Sequence, residues 1–110
     1  MMSNFTIETY NKLKTLVAIF EDDGETGYLY LYDPNAPESE KIRASLHVYN
    51  SANIQENNVK VMWSNDEMKV GVSIEGKIWG IFDLRTGAKY RRRSKSDDTG
   101  IPKDILRNFL

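Results

Sequence analysis

Alternation of apolar and polar residues is clearest between residues 59 and 92, where it predicts four antiparallel strands. The segments VKVMWS, KVGVSIE, KIWGIFDL and AKYRR are separated by short turns rich in Asn, Asp, Gly and Thr. A period of two is typical of β-strands, and tight turns join successive strands into a meander. The third segment is apolar on both faces, so it is expected to lie inside the sheet.

Two further alternating segments, between residues 16 and 32, predict a hairpin. The segment LVAIFE is followed by an acidic loop with two glycines and then by YLYLYD. Alternation in the second strand places three tyrosines on one face and two leucines on the other. The resulting tyrosine row consists of Tyr28, Tyr30 and Tyr32. This row is expected either to form an exposed interface or to lie beneath a C-terminal helix.

Residues 42–49 predict one more strand, in which apolar residues alternate with polar ones. This alternation places His47 and Tyr49 on the same, polar face. The N-terminal residues 3–14 are ambiguous. Their apolar spacing fits a short helix, whereas Thr6, Ile7 and Thr9 suit a strand equally well.

A short helix is predicted at residues 101–110. Its apolar residues recur every four positions, and Pro102 suits the first turn of a helix. The complete pattern predicts an α+β, mostly β fold. Its elements are an antiparallel β-meander sheet, a short C-terminal helix and, on one interpretation of the N-terminus, a second helix. The expected organisation is one domain over residues 1–110, with a β-rich core at 16–92 and a mobile segment at 93–100.

Composition limits the chemistry that the chain supports. With 110 residues and 40% hydrophobic content, it has enough material for one core. The absence of cysteine excludes disulfides, thiolate catalysis and cysteine-based zinc sites. A single histidine and no recognisable catalytic motif indicate a protein that is not an enzyme and needs no cofactor or metal. No signal peptide or membrane-span pattern is present, so a cytoplasmic location is expected.

Charge is distributed unevenly along the chain, although the net charge is only −1. Residues 1–84 contain 7 basic and 13 acidic side chains, whereas residues 85–110 contain 8 basic and 3 acidic ones. The first part therefore favours a basic partner, and the second an acidic one.

The acidic part is concentrated in the loop of the predicted hairpin, which has three interpretations. It is a solvated turn, a surface that binds a basic protein, or a calcium site, although the ligand spacing of an EF-hand is missing. Binding to a protein partner would use the loop together with the tyrosine row. These candidate residues are Glu21, Asp22, Asp23, Glu25, Tyr28, Tyr30 and Tyr32.

The basic part is concentrated near the end of the last predicted strand. It suits contacts with nucleic-acid phosphates, with a tyrosine available for stacking on a base. The alternatives are pairing with the acidic loop or a solvated strand end, and the acidic pI of about 5.8 argues against nucleic acid. The residues concerned are Lys89, Tyr90, Arg91, Arg92, Arg93 and Lys95.

Three other side chains invite a functional interpretation. His47 fits a general base, but no nucleophile motif accompanies it, so a structural role is the alternative. Trp63 and Trp79 are candidate binding anchors, or else core residues of a small domain.

Four short motifs resemble those of a bacterial family of small uncharacterised proteins. They are FEDDGETGYLY at 20–30, HVYN at 47–50, WSND at 63–66 and IFDL at 81–84. The resemblance covers about residues 16–92 and implies no activity. The arginine-rich segment and the C-terminal helix are expected to depart from the family pattern.

The chain also resembles bacterial immunity proteins in its size, its acidic patch and its lack of catalytic residues. Such proteins neutralise a cognate toxin, often a nuclease, by covering a basic active site. The resemblance implies a cytoplasmic protein whose partner is a protein toxin. The alternative function is a nucleic-acid-binding or regulatory module that uses residues 89–95, and a small-molecule or enzymatic role for His47 is a third hypothesis.

Overall fold

Two four-stranded antiparallel sheets face each other in the computed structural model, which describes residues 5–50, 54–94, 96 and 100–109. Both sheets have their strands in chain order. Sheet I consists of β1 (Phe5–Tyr10), β2 (Val17–Asp22), β3 (Thr26–Tyr32) and β4 (Ile42–Asn50). Sheet II consists of β5 (Val59–Trp63), β6 (Lys69–Ile74), β7 (Lys77–Asp83) and β8 (Lys89–Arg91).

Sheet II confirms the predicted meander and the position of its third strand, because β7 pairs with both β6 and β8. The chain nevertheless forms two sheets, whereas one sheet covered by a helix was expected. Both sheets contribute to a single core, with Phe20 and Leu29 from sheet I and Val70 and Val72 from sheet II. Each sheet thus buries its apolar inner face against the other, as in a β-sandwich.

The interpretation of the N-terminal residues as a helix is wrong, because residues 5–10 form strand β1. This strand pairs with β2 in antiparallel register, from Phe5 opposite Asp22 to Tyr10 opposite Val17. Burial along β1 has a period of two, because Phe5 is buried and Ile7 and Thr9 are half-buried, whereas the residues between them are exposed. Residues 3 and 4, at the start of the segment for which a helix was considered, lie outside the described residues.

Helical structure within the described residues is short. It comprises α1 (Lys103–Leu106) and three 3₁₀ turns at Glu38–Glu40, Glu56–Asn58 and Arg107–Phe109. Leu106 and Phe109 line a groove with Met62 and Ile78 of sheet II. The C-terminal turns therefore lie on the outer side of sheet II, and the tyrosine row of sheet I is not beneath them.

Side chains bridge the two sheets along both sides of the sandwich. On one side, Lys89 Nζ donates a hydrogen bond to the Ser45 carbonyl at 2.9 Å, so that β8 is joined to β4. On the other side, Trp63 Nε1 donates to the Thr9 carbonyl at 3.0 Å, so that β5 is joined to β1. We call these bridges the two seams. Each seam joins one edge strand of sheet I to one edge strand of sheet II.

Candidate functional site

Asp22, one of the residues expected to bind a partner, is fully buried. It follows Phe20 on the inward face of β2, where alternation directs its side chain into the sandwich. Its carboxylate accepts hydrogen bonds from the Tyr49 hydroxyl and, at 2.7 Å, from the Gly24 N–H. A buried carboxylate needs such donors, and here one comes from the adjoining turn and the other from the distant strand β4.

Asp23 organises the turn that follows. Its carboxylate accepts hydrogen bonds from the Thr26 N–H at 2.7 Å, the Glu25 N–H at 2.9 Å and the Thr26 hydroxyl at 2.9 Å. These bonds, the one from the Thr26 N–H foremost, hold the pKa of Asp23 below its ordinary value. Within the described residues, no group of three His, Asp or Glu side chains is placed to hold a metal ion. The other two carboxylates of this loop, Glu21 and Glu25, are exposed.

Tyr49 lies in the core, not on the polar face of β4 where alternation had placed it. A β-bulge explains the difference. Gly27 pairs with Tyr49 and Tyr28 pairs with His47, so Val48 is an extra residue in β4. The bulge buries both Val48 and Tyr49.

Gly27 provides the space that the Tyr49 ring occupies. A Cβ atom on Gly27 would lie 2.5 Å from Tyr49 Cζ and 2.8 Å from Phe20 Cζ. Gly24, in the turn, has a φ of 97°, which favours glycine. Much of the motif at 20–30 is therefore explained by folding of the hairpin.

The outer face of sheet I carries a broad aromatic and aliphatic surface, which we call the tyrosine face. It comprises Tyr10, Ile19, Tyr28, Tyr30, Tyr32 and Ile42. Tyr10 is 48% exposed and Ile42 is 62% exposed, whereas the tyrosine row is half-buried. The alternation predicted from the sequence is confirmed here, because Leu29 and Leu31 point into the core.

Ring contacts order one end of the tyrosine face. The rings of Tyr28 and Tyr30 are stacked, with centroids 6.0 Å apart and an interplanar angle of 14°. The ring of His47 lies 5.0 Å from that of Tyr28. Together these three rings form a continuous aromatic surface across β3 and β4.

Carboxylates border the same end of this face. Glu21 pairs with Tyr28 across β2 and β3, and Glu8 is exposed on β1. Burial raises the pKa of the Tyr30 hydroxyl, and the charges of Glu21 and Asp23 raise it further. We call the exposed carboxylates of Glu8, Glu21 and Glu25 the acidic rim. The opposite end carries Lys41, whose Nζ lies 6.0 Å from the centre of the Tyr32 ring.

Two residues of the basic segment, Lys89 and Arg91, contact β4. Lys89 belongs to the first seam, and Arg91 Nη1 donates to the His47 carbonyl at 3.4 Å in the same seam. Tyr90 alternates with these two residues, so its ring points to the opposite side of β8. Lys95 and residues 97–99, part of the expected mobile segment, lie outside the described residues.

His47 is held by two neighbours through its ring nitrogens. Arg91 Nη1 lies 3.2 Å from Nδ1, and Asn50 Oδ1 lies 2.8 Å from Nε2. Because a guanidinium only donates, Nδ1 must accept and Nε2 must carry the proton that is donated to Asn50. Both nitrogens are thereby engaged within the protein, an arrangement that suits a positioning role for His47.

A cavity of about 410 Å³ opens between the sheets beside this histidine. Its apolar lining includes Val48, Ile54, Ile74 and Trp79. Its cationic lining consists of Lys77, Arg91, Arg92 and Arg93, and Glu75 is the acidic residue among the lining residues. This cavity was missed from the sequence, because it depends on a second β-bulge.

The second bulge lies in β7. Val72 pairs with Gly80 and Ser73 pairs with Ile78, so Trp79 is the extra residue. Consequently Ile78 faces the outer groove of sheet II, while Trp79 packs against the core and lines the cavity. The core interpretation of Trp79 is thus confirmed, and Trp63 likewise packs against the core and bonds to β1.

No helix in the described ranges is both long enough and apolar enough to cross a membrane.

Comparisons with known proteins give a family but no activity. No curated protein and no solved structure is significantly similar to the chain. A family model matches residues 2–102, beyond the 16–92 expected, and so includes the arginine-rich segment. The chain belongs to a family described as uncharacterised proteins conserved in bacteria, DUF2251.

Proposed function

We propose that the protein is a non-enzymatic binding protein whose tyrosine face covers a basic surface of a protein partner. The specific form of this proposal is a cytoplasmic immunity protein that neutralises a cognate bacterial toxin. One observation carries it. The outer face of sheet I presents aromatic and aliphatic side chains, including Tyr10 and Ile42, that protrude into solvent.

The chemistry of this face suits a protein interface. Tyrosine offers a large apolar ring with a polar tip and loses little conformational entropy when it is bound. Stacking of Tyr28 on Tyr30 already restricts both rings before a partner arrives. A preorganised aromatic surface favours tight binding because less freedom remains to be lost.

The acidic rim indicates the charge of the partner. Glu8, Glu21 and Glu25 are exposed at the end of the face that carries Tyr28 and Tyr30. A basic partner surface, such as the active site of a nuclease, would be attracted to this end and oriented by it. Association should therefore slow down as the salt concentration rises.

The test uses purified full-length protein and the products of the adjacent genes, with binding measured by calorimetry. A toxic neighbour that binds and loses its toxicity supports the proposal. Tyr30→Ser should weaken that binding by about tenfold or more, as at an interface hot spot. Tyr90→Ser on sheet II is the matched control and should leave binding unchanged.

A charge-reversal pair tests the role of the rim. Glu21→Lys should slow association and reduce its salt dependence, because it removes attraction for a basic partner. Glu56→Lys makes the same change at an exposed site on the 3₁₀ turn before β5 and serves as the control. Equal effects of the two substitutions, or of Tyr30→Ser and Tyr90→Ser, would refute the proposed surface.

The alternative of a nucleic-acid-binding or regulatory module has less support. It requires a basic stripe with a stacking tyrosine on the same face, but Tyr90 alternates with Lys89 and Arg91 and points to the opposite side of β8. Salt-sensitive RNA or DNA binding that is lost on replacement of Arg92 and Arg93 would restore this alternative.

A further inference from the structure

We propose that the cavity between the bulges of β4 and β7 binds a phosphate group attached to a planar ring, as in a mononucleotide. This site is separate from the tyrosine face and does not depend on the proposed immunity function. Its volume, about 410 Å³, lies in the range of small-molecule sites. Ligand sites of that kind combine an apolar wall with a few convergent polar groups.

The two bulges create the apolar wall. One turns Val48 and Tyr49 inward from sheet I, and the other turns Trp79 inward from sheet II. Bulges redirect single side chains and are frequent beside functional sites. The half-buried indole of Trp79, with Ile54 and Ile74 nearby, offers a surface on which a planar ring can pack.

Cationic side chains gather at the same cavity. Among the described residues that line it, Lys77 and three consecutive arginines are cationic and Glu75 is acidic. This local excess of positive charge contrasts with the net charge of −1 of the whole chain. A phosphate monoester brings nearly two negative charges and three acceptor oxygens, which match several cationic donors better than one carboxylate does.

Arg91 is positioned before any ligand binds. Both of its hydrogen bonds to His47 use Nη1, to the ring Nδ1 at 3.2 Å and to the carbonyl at 3.4 Å. The His47 ring is fixed in turn by Asn50. Arg91 therefore has further N–H groups with which to donate to a phosphate, and little side-chain freedom to lose. Arg92 is also oriented, because its Nε donates to the Ile78 carbonyl at 3.2 Å.

The experiment is calorimetric titration of the full-length protein with AMP, GMP, CMP and UMP. Inorganic phosphate and the unphosphorylated nucleosides serve as controls, because each contains only one of the two parts of a nucleotide. At least one nucleotide should bind about tenfold more tightly than phosphate or its own nucleoside, since both halves of the ligand make contacts. Absence of binding by all four nucleotides at millimolar concentration would overturn the proposal.

Variants locate the binding site. Trp79→Leu keeps an apolar residue but removes the ring, and Arg93→Gln removes one charge; each should weaken nucleotide binding by about tenfold. Arg85→Gln, in the exposed turn between β7 and β8, is the charge-matched control and should bind like wild type. Circular dichroism verifies that each variant is folded. Undiminished binding in both cavity variants would refute the site.

Two further measurements distinguish a free nucleotide from a strand end as the ligand, and the nucleotide site from the tyrosine face. A 5′-phosphorylated single-stranded oligonucleotide that binds more tightly than its terminal mononucleotide would indicate a strand end, whereas equal affinity would indicate a free nucleotide. Either result supports the shared chemistry. Tyr30→Ser should bind nucleotide normally, so loss of partner binding and loss of nucleotide binding can be distinguished.

Discussion

The hydroxyl of Tyr49 on β4 donates a hydrogen bond to the buried carboxylate of Asp22 on β2, across the intervening strand β3. Tyr49→Phe should therefore destabilise the fold by about 1–3 kcal/mol, because it leaves a buried carboxylate short of a donor. Urea unfolding of both proteins measures this difference. Tyr28→Phe is the matched control on the tyrosine face and should stay within about 0.5 kcal/mol of wild type. Equal stability of Tyr49→Phe and wild type would contradict a structural role for the bond.

Alkaline pH should weaken the fold through the same tyrosine. Burial, foremost, and the hydrogen bond to Asp22 raise the pKa of Tyr49 above its ordinary value of 10.0. The unfolded chain consequently loses this proton at lower pH than the folded chain does. The stabilisation is fully present below pH 10 and is lost as pH rises above it. Denaturant unfolding between pH 8 and 11 should show a steeper loss for wild type than for Tyr49→Phe, and parallel curves would disprove the linkage.

Gly27→Ala should be severely destabilising, because its methyl group would overlap the rings of Tyr49 and Phe20. Overpacking of this kind costs about 1–3 kcal/mol or more. Gly76→Ala is a useful comparison. Its methyl group meets nothing within 4 Å, but its φ of 83° imposes a backbone penalty. Thermal unfolding should show the larger loss for Gly27→Ala, and the reverse order would be evidence against the close approach.

Acidic pH should remove the contribution of Asp23. The pKa of this residue is held below its usual value of 3.8 by donors of the turn, first of all the Thr26 N–H. The depressed pKa means that the stabilisation is present above pH 3.8 and declines as pH falls through the folded value. Asp23→Ala should be less stable than wild type at pH 7, and the gap should narrow towards pH 3. A gap that is constant over this range, measured by urea unfolding, would rule out the charge as its cause.

Local alternation was enough to predict much of this fold. The tyrosine row and the four strands of sheet II are correct, because each depends only on the period of two within its own segment. The burial of Asp22 was missed although the signal was present, since Asp22 shares the parity of Ala18 and Phe20 on β2. A cluster of acidic residues in sequence suggested a surface, and parity along the strand would have separated Asp22 from Glu21.

The remaining features depend on contacts between distant segments. The bulges at Val48 and Trp79 shift parity by one residue, and only the register with the neighbouring strand reveals them. The packing of the two sheets on each other likewise cannot be recognised from the alternation pattern within either sheet. The cavity therefore lay beyond prediction, since it requires both bulges and the packing of sheet II on sheet I.

The two seams have a consequence for how anything can approach this molecule. An unprotected sheet border is a template on which another chain can add a strand, which leads to polymerisation. Here Lys89, Arg91 and Trp63 occupy carbonyl groups of β4 and β1, the border strands of sheet I. These contacts engage some of the carbonyl groups of each border strand and so hinder the addition of a further strand there. The side chains that close the sandwich therefore also disfavour edge-to-edge association, and they leave the broad outer face of sheet I accessible.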